Sequence, residues 1–329
     1  MEFEIVIYAP PFDPNSGGSL VLHKFCDTLN KSGKARAYLL PFLHGKERYL
    51  SFFKSIKNPS LTKVNGASKF KEVIRQFLTS YFIRKRIPNF SLNPLFDTPL
   101  VDTGILKRIA DGSINTIIVY PESTNGNPLR GKHVVRWLLH NPGFHTGVIN
   151  IKTDELHFRF SHETIPAIVP GLRISDLYLT ILHIPWEFYN MEDLPLSREG
   201  IAYSLRKGAH KSLVHNLEAS ILIDDKPHSE VAQIFKRSKL FISYDSRSTY
   251  SQFASLCGCD SVIVPDPGVS EGEFFKSPES RYGISYGFEG IEAARETRGL
   301  LVEHFKRIEA ENLSKALAFL HELESFFVR

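Results

Sequence analysis

The sequence predicts an α/β chain of two doubly wound, parallel-sheet domains. Three observations carry that expectation. The chain has 329 residues, too many for one ordinary core and natural for two domains of roughly 150 residues. Its first forty residues read as strand, loop, helix, strand. After about residue 200 strand and helix signals alternate again, and βαβ alternation builds parallel sheets.

The elements follow in order. Phe3, Ile5 and Ile7 mark the first strand. Pro10-Pro11-Phe12-Asp13-Pro14-Asn15-Ser16-Gly17-Gly18-Ser19 is rich in turn formers. Leu20, Leu22, His23, Phe25, Cys26 and Leu29 recur at helical spacing, Gly33 stops the helix, and Ala35–Leu40 is the next strand. Phe70, Val73, Ile74, Phe77, Leu78, Tyr81 and Phe82 predict an amphipathic helix that Pro88 ends. Thr116–Tyr120 is a buried strand, and His133–Leu139 is expected as a short helix closed by Asn141-Pro142-Gly143. Residues 144–183 read as short strands and turns. Strands are then expected at Gly200–Leu205, Ala219–Ile223, Leu240–Tyr244 and Ser261–Pro265. Helices are expected at Glu230–Arg237, capped by His228-Ser229, at Thr249–Leu256, and over nearly all of Ile291–Phe327. The domain boundary is placed between residues 183 and 184, giving 1–183 and 184–329.

Composition excludes several classes. The hydrophobic fraction is 42% and the charged fraction 23%, so the chain reads as globular rather than disordered. No apolar run reaches the roughly 20 residues that span a bilayer, and residues 1–8 read as a strand rather than a leader, so a cytoplasmic protein is expected. Three cysteines imply no disulfide framework, and Cys257-Gly258-Cys259 lacks the partner ligands of a zinc site. The net charge of +4 is local: residues 46–86 hold eleven basic residues against Glu47 and Glu72. A basic amphipathic helix over Lys69–Arg86 suits peripheral docking on anionic lipid, the other reading being a helix whose apolar face is core. No motif for nucleic acid accompanies it.

Ligands of open α/β sheets sit outside the carboxyl ends of the strands, and four segments there carry chemistry. Gly17 and Gly18, ahead of a helix, let backbone approach a ligand; a tight turn is the plainer reading. Arg206, Lys207, His210 and Lys211 follow a strand and bracket Gly208, which suits a diphosphate held without metal; a solvated basic turn is the alternative. Arg206 and Lys211 are the preferred phosphate ligands. Asp245, Ser248 and Thr249 lie between strand and helix, as second phosphate contacts or a plain cap. Glu122, Asn127 and the nearby His145 follow a strand of the first half, where Glu122 binds sugar hydroxyls, serves as a base, or caps a helix. Asp13 and Glu122 are the candidate catalytic bases, with His140 and His145 behind them. No Asp-x-Asp occurs, so cationic side chains rather than a divalent ion are expected to stabilise the leaving group, and no cofactor is expected. Asp224-Asp225, ahead of Lys226-Pro227, reads as turn chemistry.

Three blocks carry a resemblance. They are Tyr120-Pro121-Glu122 through Asn141-Pro142-Gly143, Leu205-Arg206-Lys207-Gly208 with Lys211, and Phe241 through Pro265 including Leu256-Cys257-Gly258-Cys259. Together with the Gly17-Gly18 loop they resemble bacterial polysaccharide-biosynthesis glycosyltransferases of the GT-B fold, group 1-like, over most of residues 8–290. The resemblance implies two facing Rossmann-like domains with a C-terminal helix packing back toward the first. It implies a nucleotide-sugar donor held by Arg206, Lys211, Asp245, Ser248, Thr249 and Glu271. A glycan or lipid-linked acceptor would lie near Gly17, Gly18, Asn127 and His145. One position departs from the pattern: Phe253 stands where many retaining members carry a ribose-binding glutamate, with Glu271 and Glu273 as substitutes. A nucleotide-sugar epimerase and an inactive GT-B scaffold are the alternative functions.

Overall fold

A computed structural model describes residues 2–42, 81, 89–144, 146–149, 151–166 and 169–328. The basic stretch 46–86, apart from Tyr81, and His145 lie outside the described residues, so the expected lipid-docking helix does too. The described chain forms two compact units, one of residues 1–182 with 311–329 and the other of residues 183–310. The final helix therefore belongs with the first unit. Both units are Rossmann-like, each a parallel sheet flanked by helices.

In the first unit, β1 (Phe3–Ala9), β2 (Ala35–Pro41), β3 (Thr116–Pro121), β4 (His133–Leu138), β5 (Leu156–Arg159) and β6 (Arg173–Tyr178) stand in the order β2-β1-β3-β4-β5-β6. Every pairing is parallel. Such a sheet needs cover on both faces. Helix α1 (Gly17–Lys31) and the last helix cover one face around Phe25, Trp137, Phe158 and Phe319. Helix α2 (Thr103–Asp111) covers the other through Ile105 and Ile109, against Val6, Ile118 and Tyr120. The Asp102 carboxylate caps α2 by accepting from the Ile105 amide at 2.8 Å, and Gly112 ends it at φ 68°.

The expectation of a helix at His133–Leu139 is corrected: His133–Leu138 is β4, buried throughout. The six residues His133-Val134-Val135-Arg136-Trp137-Leu138 are too few to fix a helical period, and Val134-Val135 favours the pleated conformation between β3 and β5. The cap expected at His228-Ser229 is corrected as well. The helix begins at His228 itself, Pro227 holds the cap position, and the His228 ring meets the Tyr189 hydroxyl.

In the second unit, β7 (Ile201–Ser204), β8 (Ser220–Leu222), β9 (Leu240–Ser243), β10 (Asp260–Ile263) and β11 (Ser285–Tyr286) are ordered β8-β7-β9-β10-β11, again all parallel. Helices α3 (His228–Arg237), α4 (Tyr250–Leu256), α5 (Glu271–Phe274) and α6 (Ile291–Ala310) complete it. The core gathers Tyr189, Phe235, Phe241, Phe253 and Leu301. At the break after Ala310, α7 (Asn312–Phe327) returns the chain to the first unit. There the Asn312 amide pairs with the backbone of Leu182, accepting at 3.0 Å and donating at 2.7 Å. No helix among the described residues is long and apolar enough to cross a membrane.

Candidate functional site

Both sheets share one topology, in which strand order reverses between the first and third strands. That reversal opens a crevice at the carboxyl edge, where ligands of such sheets bind. In the second unit it lies between β7 and β9, and Ser204 pairs with Ser243 at its floor.

The basic turn Leu205–Gly208 sits there. Gly208 lies directly on the Tyr244–Asp245 backbone: a Cβ added to it would stand 1.9 Å from the Tyr244 carbonyl oxygen. Only glycine permits that approach. Arg206 has φ 37°, in the left-handed region, which costs an L residue about 1–2 kcal/mol. The Asp224 carboxylate offsets that cost. One oxygen accepts from Ser204 Oγ at 2.6 Å, and the other accepts from the amides of Leu205 at 3.1 Å and Arg206 at 3.0 Å. Hydrogen bonds to an ionised acceptor contribute about 1.5–3 kcal/mol each. The exposed Arg206 guanidinium lies 5.6 Å from the centroid of the Tyr250 ring.

Lys211 is placed differently from an open phosphate ligand. Its side chain is 5% exposed. Its Nζ donates to Ser246 Oγ, to the Val264 carbonyl and to Asp266 Oδ1, each at 2.7 Å. Ser246 Oγ donates in turn to Asp266 Oδ1 at 2.8 Å. Lys211 thus staples the turn after β7 to the ends of β9 and β10. Burial pushes the Asp266 carboxyl up, but the bonds from Lys211 and Ser246 outweigh burial and hold it below the usual carboxylate range.

The other expected donor contacts are engaged locally. Asp245 is buried and accepts from the Arg247 amide at 3.1 Å. Ser248 Oγ accepts from the Tyr250 amide at 3.3 Å. Thr249 is exposed at the cap position of α4 and makes no side-chain cap bond. Glu271 pairs with Arg281 at 3.2 Å, and Glu273 completes a capping box with Ser270. Phe253 is a core residue, stacked on Tyr189 with centroids 4.2 Å apart.

In the first unit the reversal lies between β1 and β3. After β1, Asp13 Oδ1 accepts from the Asn15 amide at 2.9 Å, and the Asp13 amide donates to Ser19 Oγ at 2.9 Å, closing the loop. Gly17 and Gly18 open α1; a Cβ on Gly17 would meet nothing within 4 Å, and one on Gly18 would lie 4.0 Å from Leu139 Cδ1. After β3, Glu122 Oε2 accepts from the Leu139 amide at 2.9 Å. Gly18, Leu139 and Glu122 are therefore brought together. Next to them the His140 ring, whose Nδ1 accepts from the Asn141 amide, stacks on Phe144 at 3.9 Å.

Asn127 is held in its own loop, accepting from the Tyr120 hydroxyl at 3.0 Å and pairing with both backbone groups of Gly131. Behind that loop Arg136, 1% exposed, donates to the Thr124 carbonyl at 2.6 Å and the Gly126 carbonyl at 2.7 Å. It also makes a two-pronged pair with Glu155 at 3.1 and 3.0 Å.

Burial pushes the half-buried Glu122 carboxyl up, against the opposing pull of its amide donors. A raised folded-state value favours the protonated native form. The associated stability is full below the unfolded carboxylate range and is lost as pH rises through the raised value. Glu122→Gln keeps an acceptor for Leu139 and removes the charge. Its melting temperature relative to wild type is expected to climb as pH rises above the unfolded carboxylate value of about 4.3 and through the raised folded value. A difference that stays constant across that series would show that Glu122 does not titrate this way.

Sequence reading missed Ser246, Asp266 and the Arg136–Glu155 pair, and it gave Asp224 to the turn of its own segment rather than to the turn after β7. Asp224 left one signal, an acidic residue at the end of the strand next to β7. No family model matches the sequence, and no curated protein matches it. Among solved structures the chain is similar to the UDP-GlcNAc 2-epimerase from Neisseria meningitidis, determined with UDP-GlcNAc bound. The identity is 10% and the TM-score 0.37, over 98% of this chain and 99% of that one. A likeness at that level assigns neither substrate nor reaction to this chain.

Proposed function

We propose that the protein is a metal-independent glycosyltransferase that uses a nucleoside-diphosphate sugar. The observation that carries the reading is Arg206, exposed in left-handed backbone at the β7/β9 crevice. A guanidinium there suits the diphosphate, whose charge grows as the bond to the sugar breaks. Lys207 adds charge from the same turn, and Lys211 shapes the turn from beneath. The first unit takes a glycan or lipid-linked glycan acceptor near Gly17, Gly18 and Glu122. Glu122 is preferred over Asp13 as the base, because burial raises its proton affinity toward working pH. In an inverting reaction the acceptor oxygen bonds to the anomeric carbon, the diphosphate leaves with the electron pair, and Glu122 takes the hydroxyl proton.

Thermal melts with UDP, GDP, CMP, dTDP and ADP, each with and without EDTA, test this. One nucleotide is expected to stabilise the protein regardless of EDTA, by about 2.7 kcal/mol at a hundredfold excess over Kd. Arg206→Ala is expected to weaken binding about 10- to 100-fold, shrinking that gain without erasing it, while leaving the unliganded melt within about 0.5 kcal/mol of wild type, as at an exposed site. Stabilisation by none of the five would overturn the reading. It would favour a scaffold without donor binding, the reading supported by Phe253 in the core at the ribose-glutamate position.

A further inference from the structure

Asp224 takes no part in the transfer outlined above, yet it organises the turn that presents Arg206. We propose that Asp224 is the positioning residue of the diphosphate site, acting through Arg206; the inference rests on the glycosyltransferase reading. The carboxylate accepts from Ser204 Oγ and from the amides of Leu205 and Arg206. Those two amides are the donors that such a turn would otherwise aim at a phosphate. Here they face an internal anion, so the turn contacts its ligand through side chains. The same three bonds hold Arg206 at φ 37°, and Gly208 pins the other end of the turn against Tyr244. Between these anchors the guanidinium is set over Tyr250 before any ligand arrives. Preorganisation of this kind raises affinity without adding a contact.

A simple electrostatic role predicts the opposite sign. A carboxylate beside an anion site repels the ligand, so removing its charge would tighten binding. Positioning predicts that losing the acceptor weakens binding. Asparagine recovers most of the affinity, since its carbonyl can accept from both amides while Ser204 Oγ accepts from its NH2 group.

The experiment is calorimetric titration of the full-length protein with the nucleoside diphosphate that stabilises wild type. Asp224→Ala is expected to weaken binding about 10- to 100-fold, and Asp224→Asn to return it to within about threefold of wild type. In an Arg206→Ala background Asp224→Ala is expected to add no further loss. That non-additivity is the mark of action through Arg206, because a general loss of structure would multiply the two effects. Ser204→Ala, which removes one of the three bonds, provides a milder variant where Asp224→Ala does not fold, with an expected loss of about threefold. Wild-type affinity in Asp224→Ala, tighter binding in Asp224→Asn, or losses that multiply would each overturn the inference while leaving the transferase reading intact. A wild-type protein that binds no nucleotide overturns that reading, and the inference falls with it.

Discussion

Glu155→Ala is expected to lower the stability of the first unit by about 3–5 kcal/mol. Arg136 and Glu155 are 1% and 2% exposed, so removing the carboxylate strands a guanidinium that water cannot reach. The carbonyls of Thr124 and Gly126 would remain as its partners, but neither carries the charge needed to balance it. A loss of that size lowers the melting temperature of a unit of roughly 200 residues by about 10 °C. The two tryptophans, Trp137 and Trp186, fall in different units. Trp137 fluorescence in a Trp186→Phe background therefore reports the first unit. The contrasting variant is Arg136→Met with Glu155→Leu, which removes both charges and keeps volume. It is expected to recover most of the loss. Equal destabilisation by the single and double variants would mean that packing, not an unpaired charge, sets the cost.

The parallel strands were legible because short apolar runs stand between turn formers, as Ile5–Ala9 in β1, Ile117–Tyr120 in β3 and Leu240–Ile242 in β9. Shortness hid β4: His133-Val134-Val135-Arg136-Trp137-Leu138 neither alternates nor runs long enough to show a helical repeat, so nothing separated strand from helix. Helix α2 left a faint trace, since it buries only Ile105 and Ile109 and two contacts in nine residues fix no period. At the site, the sequence located the basic turn after β7 and the glycine within it. It did not separate Arg206 from Lys211, because their fates are decided by partners far along the chain. Asp224 accepts from the backbone amide of Arg206, whose side chain is exposed, and Asp266 pairs with the buried Lys211 ammonium. The engagement of Asn127 was hidden for the same reason: its amide meets Tyr120 and Gly131 in its own loop, and no spacing rule marks a side chain as already engaged.

Lys211 supplies the sharper test of that distinction. As an open phosphate ligand, its loss would abolish nucleotide binding and leave folding intact. The structure predicts the reverse order of effects. Lys211→Ala removes three hydrogen bonds and leaves Asp266, Ser246 and the Val264 carbonyl without their common donor. Loss of a fully buried partner costs about 3–5 kcal/mol. Asp266 is 37% exposed and can rehydrate, so about 2–3 kcal/mol is expected, read from Trp186 fluorescence in a Trp137→Phe background. The pH dependence has a definite sign. Asp266 titrates below its ordinary range when folded, so the pair's contribution is full above the unfolded carboxylate value of about 3.9. It is lost as pH falls through the depressed folded value. The stability gap between wild type and Lys211→Ala should therefore narrow in acid and hold steady near neutrality. Nucleotide binding by the folded variant should survive in part, because Arg206 keeps its Asp224 anchor. Full loss of binding with an unchanged melt would instead return Lys211 to the phosphate and place a ligand-driven opening of its bond to Asp266 in the mechanism.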